Sequence, residues 1–88
     1  MDSLDMVEII RELEIDGGIE MTDGEAARMR DGTAADLWRV AVRLRTGAAP
    51  VAAAPSAGDA TWQQVRRILA LVRRVPMDDV GPDLRLAS

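Results

Sequence analysis

The sequence predicts an all-α fold, a small bundle of four helices, and three observations predict it. Apolar residues recur at helical spacing in three stretches: Met6, Ile9, Ile10 and Leu13; Leu37, Val40, Ala41 and Leu44; Val65, Ile68, Leu69, Val72 and Val75. Thr22-Asp23-Gly24-Glu25 and Thr33-Ala34-Ala35-Asp36 pair a capping threonine with an acid three residues on, the signature of a helix start. Gly17-Gly18, Asp31-Gly32 and Pro76 stand where the periodic stretches end.

The first helix begins at the extreme N-terminal stretch and stops near Asp16-Gly17-Gly18. Its acids Asp2, Asp5, Glu8 and Glu12 recur at three, three and four residues and so line a face away from the apolar stripe. Asp2 and Asp5 suit the positive end of the helix dipole. Glu12, Glu14 and Asp16 sit at the opposite end, where acids cost a few tenths of a kcal/mol or more. Such a stripe is either a solvated face or a surface for a basic partner. Ile19-Glu20-Met21 then reads as an extended piece with Ile19 and Met21 turned inward. The Thr22 box starts a short helix over roughly 23–30, with Ala26, Ala27 and Met29 as packing contacts. Thr33 caps a third helix that runs to about Leu44. Arg39, Arg43 and Arg45 suit its negative end, and Trp38 is expected in the core.

Residues 46–60 change character, to Gly-Ala-Ala-Pro-Val-Ala-Ala-Ala-Pro-Ser-Ala-Gly between Thr46 and Asp59. Two prolines and two glycines break up what alanine would make helical. The stretch reads as a mobile, partly extended linker that spans about 20 Å. A fourth helix is expected to start at Thr61, with Gln64 completing a box-like start, and to end at Pro76. Gln63, Gln64, Arg66, Arg67, Arg73 and Arg74 are expected to cover its polar side. The remaining tail reads as loop, with Val80, Leu84 and Leu86 as anchors. Residues 1–45 alone hold too little to bury three apolar stripes, so the helix at 61–75 is the missing partner. A linker of this length sets an effective concentration of about a millimolar. Return to the same chain as a monomer is therefore expected, a swapped dimer being the alternative.

Composition narrows the function. Eighty-eight residues make one small domain, 1–88, of which 46–60 is the linker and 61–88 the last helix and its loop. The chain has no Cys, His or Lys. Neither a disulfide, a thiolate metal site nor a Ser-His-Asp triad can be assembled, and an enzyme is not expected. A calcium loop from Asp16 fails, because its third and twelfth positions are Gly18 and Ala27. Residues 1–25 carry nine acids and one base, a net −8, which argues against nucleic acid as a partner. No apolar run approaches the ~20 residues of a membrane span and no signal-peptide pattern is present, so a cytoplasmic protein without membrane contact is the expectation.

Asp2-Ser3-Leu4-Asp5 followed by an apolar-acidic helix resembles the phosphopantetheine attachment region of acyl carrier proteins. The resemblance continues through Ile19-Glu20-Met21-Thr22-Asp23 and Ala34-Ala35-Asp36-Leu37, which look like that family's short third helix and its fourth helix. The C-terminal stretch, a helix followed by Val75-Pro76-Met77-Asp78-Asp79-Val80-Gly81-Pro82-Asp83-Leu84, resembles the family's front end, which normally leads into the attachment serine. The parts therefore look like an acyl-carrier-like four-helix bundle in circularly permuted order: helices II, III and IV, a linker, then helix I and its loop.

The resemblance implies a carrier that holds acyl intermediates as thioesters on a 4′-phosphopantetheine arm attached to Ser3, in fatty acid or polyketide biosynthesis. Asp2 and Leu4 are the motif neighbours. Asp5, Met6, Glu8, Glu12 and Glu14 would be the docking face for partner enzymes with basic surfaces, of the acyl-transferring and ketosynthase type. Val7, Ile9, Ile10 and Leu37 would line an acyl cleft. A separate phosphopantetheinyl transferase would install the arm from coenzyme A with Mg²⁺. On the residues alone, Ser3 or Asp2 is also an ordinary helix cap, and Met6, Ile9, Ile10 and Leu37 are also ordinary core. The alternatives are an unmodified carrier-like interaction module and a piece that spans two tandem carriers.

Overall fold

Four helices make up the computed structural model, which describes residues 3–29 and 31–86, with the backbone alone at residues 3–5. They are α1 (Ser3–Gly17), α2 (Asp23–Met29), α3 (Ala34–Thr46) and α4 (Ala60–Arg73), followed by a 3₁₀ turn at Met77–Asp79. Among the described residues there is no strand, only an isolated antiparallel bridge between Thr33 and Arg85. No described helix is long and apolar enough to cross a membrane.

The stripe on α1 lies inward as its period predicts: Met6, Ile9 and Leu13 are buried and Ile10 is half-buried against them. Gly18 closes the helix in the left-handed region (φ 62°), where a glycine carries no Cβ penalty. Its N–H donates to the Glu14 carbonyl, and the Ile19 N–H donates to that of Leu13. This turn sends Ile19 into the core, while Met21 is half-buried against it.

The Thr22 box is formed in full. The Glu25 N–H donates to the Thr22 hydroxyl, and the Glu25 carboxylate accepts from the Thr22 N–H. α2 itself buries no residue, and Ala27 is exposed rather than packed, because a helix of 7 residues has little face to offer. It is tied to α3 by the ion pair of Glu25 with Arg43. The Thr22 hydroxyl, aided by the Thr22 N–H and the Arg43 guanidinium and opposed by partial burial, holds the Glu25 carboxyl below its ordinary value of about 4.5. A depressed folded-state value stabilises the fold above about pH 4.5, and that contribution is lost as pH falls through the lower folded value. Glu25→Gln is therefore expected to lower the thermal midpoint at pH 7 and to converge with the parent as pH falls below the lowered folded-state value. A gap that persists at acid pH would rule out this linkage.

α3 is capped at every donor of its first turn. Asp36 N–H donates to the Thr33 hydroxyl, and Thr33 N–H to the Asp36 carboxylate. The remaining early donors are met from the far end of the chain: Ala34 N–H donates to Leu84 O (2.8 Å) and Ala35 N–H to Pro82 O (3.0 Å). α3 buries Ala34, Ala35, Leu37, Trp38 and Ala41. This face is rotated from the predicted stripe, with Trp38 central and Val40 only half-buried, because a large indole fills more of the core than a valine. The Trp38 indole N–H finds no acceptor among the described residues.

α4 starts one residue before the predicted Thr61. Asp59 is the cap, its carboxylate accepting from Trp62 N–H at 2.9 Å, which fits the stronger capping of Asp over Thr. Trp62, absent from the predicted stripe, is buried with Val65, Ile68, Leu69 and Ala70. Gln64, expected on the polar side, is buried too. Its amide donates to Asp16 and accepts from Arg45, so it ties the C-terminal ends of α1 and α3 to the start of α4. Gly17 eases that approach, since a Cβ there would lie 3.0 Å from Gln64 Nε2 and 3.2 Å from the Ile19 side chain.

α4 is the hub. Both α1 and α3 pack on it, and so does the 3₁₀ turn. Gln64 meets the ends of α1 and α3, while Arg73 at the end of α4 donates to Arg85 O beside the start of α3. Both helices therefore run antiparallel to α4. Arg66, also expected in solvent, is half-buried and donates to Val80 O (3.1 Å) and Met77 O (2.7 Å), which folds the tail back along α4. Val80 and Leu86 are buried, and Leu84 is half-buried against the core. The linker is held at points: Arg39 donates to Ala53 O and Gln63 to Ala57 O.

α4 ends on Arg74 in the left-handed region (φ 58°). A side chain there costs roughly 1 kcal/mol. Arg74→Gly removes that strain and is expected to raise the thermal midpoint by a few degrees, on the order of 4–8 °C per kcal/mol for a domain of this size. A lower midpoint would mean that the Arg74 side chain contributes more than its backbone costs.

Candidate functional site

Ser3 is the first helical residue of α1. The first N–H groups of a helix have no acceptor within it, the arrangement that favours an anionic group. Asp2 lies outside the described residues, and Leu4 and Asp5 belong to the first turn by their backbone alone. The remaining predicted site residues fall on three sides of α1. Met6 and Ile9 face the core, joined there by Leu37 of α3, and Ile10 sits half-buried at its edge. Met6 is thus part of the core and not of an exposed docking face, as its place in the 6-9-13 stripe requires. Val7 points the other way and is 60% exposed, so it is separated from Ile9 and Leu37 rather than joined with them around a cleft. Glu8 and Glu14 are exposed and Glu12 is half-exposed.

Glu8 and Glu12 also border a groove of about 400 Å³ between α1 and α4, completed by Arg11, Ile15, Leu71 and Val72. The sequence reading passed over Ile15 and Leu71. Their signal is that each is a large apolar residue off its own helix's buried stripe. Ile15 is 70% and Leu71 65% exposed.

The antiparallel packing also decides what shares an end of the bundle with Ser3. The starts of α1 and α3 lie toward the end of α4, and the tail returns to that end. Leu86 N–H donates to Gly32 O at 3.0 Å, immediately before α3. The tail Pro82-Asp83-Leu84 and the first turn of α1 therefore lie at one end of the molecule, with α4 between α1 and α3 along its length. No protein-family model matches the chain, and no curated protein or solved structure matches it either.

Proposed function

We propose that the chain is an acyl carrier protein whose helices follow one another in circularly permuted order, with Ser3 bearing a 4′-phosphopantetheine arm. The observation that carries this reading is the shared end of the bundle. The tail that resembles the loop before a carrier serine finishes at the same end at which Ser3 opens α1. The α1 N-terminus would stabilise the phosphodiester through its first N–H groups and dipole. The arm would hold acyl groups as thioesters, and the exposed acids Glu8, Glu12 and Glu14 would meet basic partner enzymes. An acyl chain would have to part Ile10 from Ile9 and Leu37, since the latter two are fully buried.

The test is intact mass after incubation with a broad-specificity phosphopantetheinyl transferase, coenzyme A and Mg²⁺, beside Ser3→Ala. A gain of one arm is expected for the parent and none for Ser3→Ala. No gain by a parent chain with a folded helical spectrum would overturn the proposal.

A further inference from the structure

The groove between α1 and α4 combines three features. First, it exposes two large aliphatic side chains, Ile15 and Leu71, one from each wall, beside the half-buried Val72. Single exposed apolar residues are ordinary, but two that face one groove form a patch. Second, its acids are free. Asp16 is met by Gln64 and Arg67, Glu25 by Arg43 and Asp36 by Arg39. Among the described residues neither Glu8 nor Glu12 has an ion-pair partner. Third, the walls are two antiparallel helices, a shape that receives the apolar stripe of another helix.

We propose that this groove docks an amphipathic basic helix of a partner protein. Its aliphatic residues would lie on Ile15, Leu71 and Val72, and its Lys or Arg side chains would meet Glu8 and Glu12. Arg11 in the same groove leaves room for one partner carboxylate. An acyl chain is a poor occupant, because Glu8, Arg11 and Glu12 would lose water to it without gaining a partner. The inference does not depend on an arm at Ser3, so it extends to the unmodified chain.

The test uses the full Ser3→Ala chain, labelled with ¹⁵N, and two designed helical peptides. Both carry Leu at positions 1, 4, 5 and 8 of a repeating stripe (about two turns,). One has Lys at the flanking positions and the other has Glu. The Lys peptide is expected to bind, with amide shifts centred on residues 8, 11, 12, 15, 71 and 72. Raising salt to ~1 M, where the Debye length is about 3 Å, is expected to weaken it by about tenfold. Glu8→Lys with Glu12→Lys should weaken it by at least about tenfold, an effect of like-charge contact. Leu71→Ser should weaken it several-fold while the helical spectrum stays unchanged, since Leu71 is exposed. Equal binding of the Glu peptide overturns the proposal, as do shifts centred elsewhere. So does a concentration-dependent dimer that uses these residues without peptide, which would make a second copy the occupant.

Discussion

Leu69→Asp is expected to leave the whole chain unfolded at 25 °C, not merely α4. Leu69 is fully buried at the centre of α4, and α4 is the element on which α1, α3 and the 3₁₀ turn all pack. An ionised carboxylate placed there lacks a partner and costs several kcal/mol even after relaxation. The lost leucine adds a further ~2–5 kcal/mol. Against this stands the whole stability of an 88-residue domain, about 4–13 kcal/mol. Once α4 leaves, α1 with 15 residues and α3 with 13 have no apolar partner of comparable extent. Isolated helices of that length are marginal in water. The measurement is far-UV circular dichroism with amide spectra of residues 1–46. Collapse of helical signal throughout is expected. Leu69→Ala should remain folded, with a lower urea midpoint and an unchanged slope. Native amide dispersion in residues 1–46 of Leu69→Asp would show that α1–α3 form a core of their own.

What could be read from the sequence divides by distance along the chain. The Thr22–Glu25 and Thr33–Asp36 boxes were legible because both partners sit within one helical turn. The stripe on α1 was legible because a single period places Met6, Ile9 and Leu13 together. Gln64 was not legible, because its partner Asp16 lies 48 residues away and nothing local marks a glutamine as buried. Arg66 looked like a solvated base because its acceptors are backbone carbonyls 11 and 14 residues on, which any sequence supplies. Trp62 hid behind Thr61, a capping residue type standing two places after the better cap, Asp59.

The candidate site divides in the same way. The Ser3 motif and the acids of α1 are local, so they were visible as a pattern. The groove is built by Ile15 and Leu71, each off its own helix's stripe, and exists only once α4 lies beside α1. Val7 parted from Ile9 and Leu37 for the reason that assigned Met6 to the core. Helical rotation separates neighbours in sequence, and a list of adjacent apolar residues cannot line one cleft.

Leu86→Ala is expected to cost about 2–5 kcal/mol, the range for truncating a fully buried leucine. It should also loosen a helix far from it in sequence. Leu86 anchors the tail by burying its side chain and by donating its N–H to Gly32 O. The same tail offers the carbonyls of Leu84 and Pro82 to the first N–H groups of α3. Those two donors have no acceptor inside their own helix, as the first N–H groups of any helix do not. When the tail detaches they must turn to water. Amide exchange at Ala34 and Ala35 should therefore accelerate much more than at Ala41 in mid-helix, whose bond lies within α3. Arg66 would also lose its carbonyl acceptors at Met77 and Val80 if release extends that far, so the exchange at Val80 reports how much of the tail comes away. A cost below about 1 kcal/mol, the range of ordinary surface changes, would show that the tail is not part of the cooperative fold. Unchanged exchange at Ala34 and Ala35 despite a full loss of stability would show that the α3 cap is held by Thr33 and Asp36 alone.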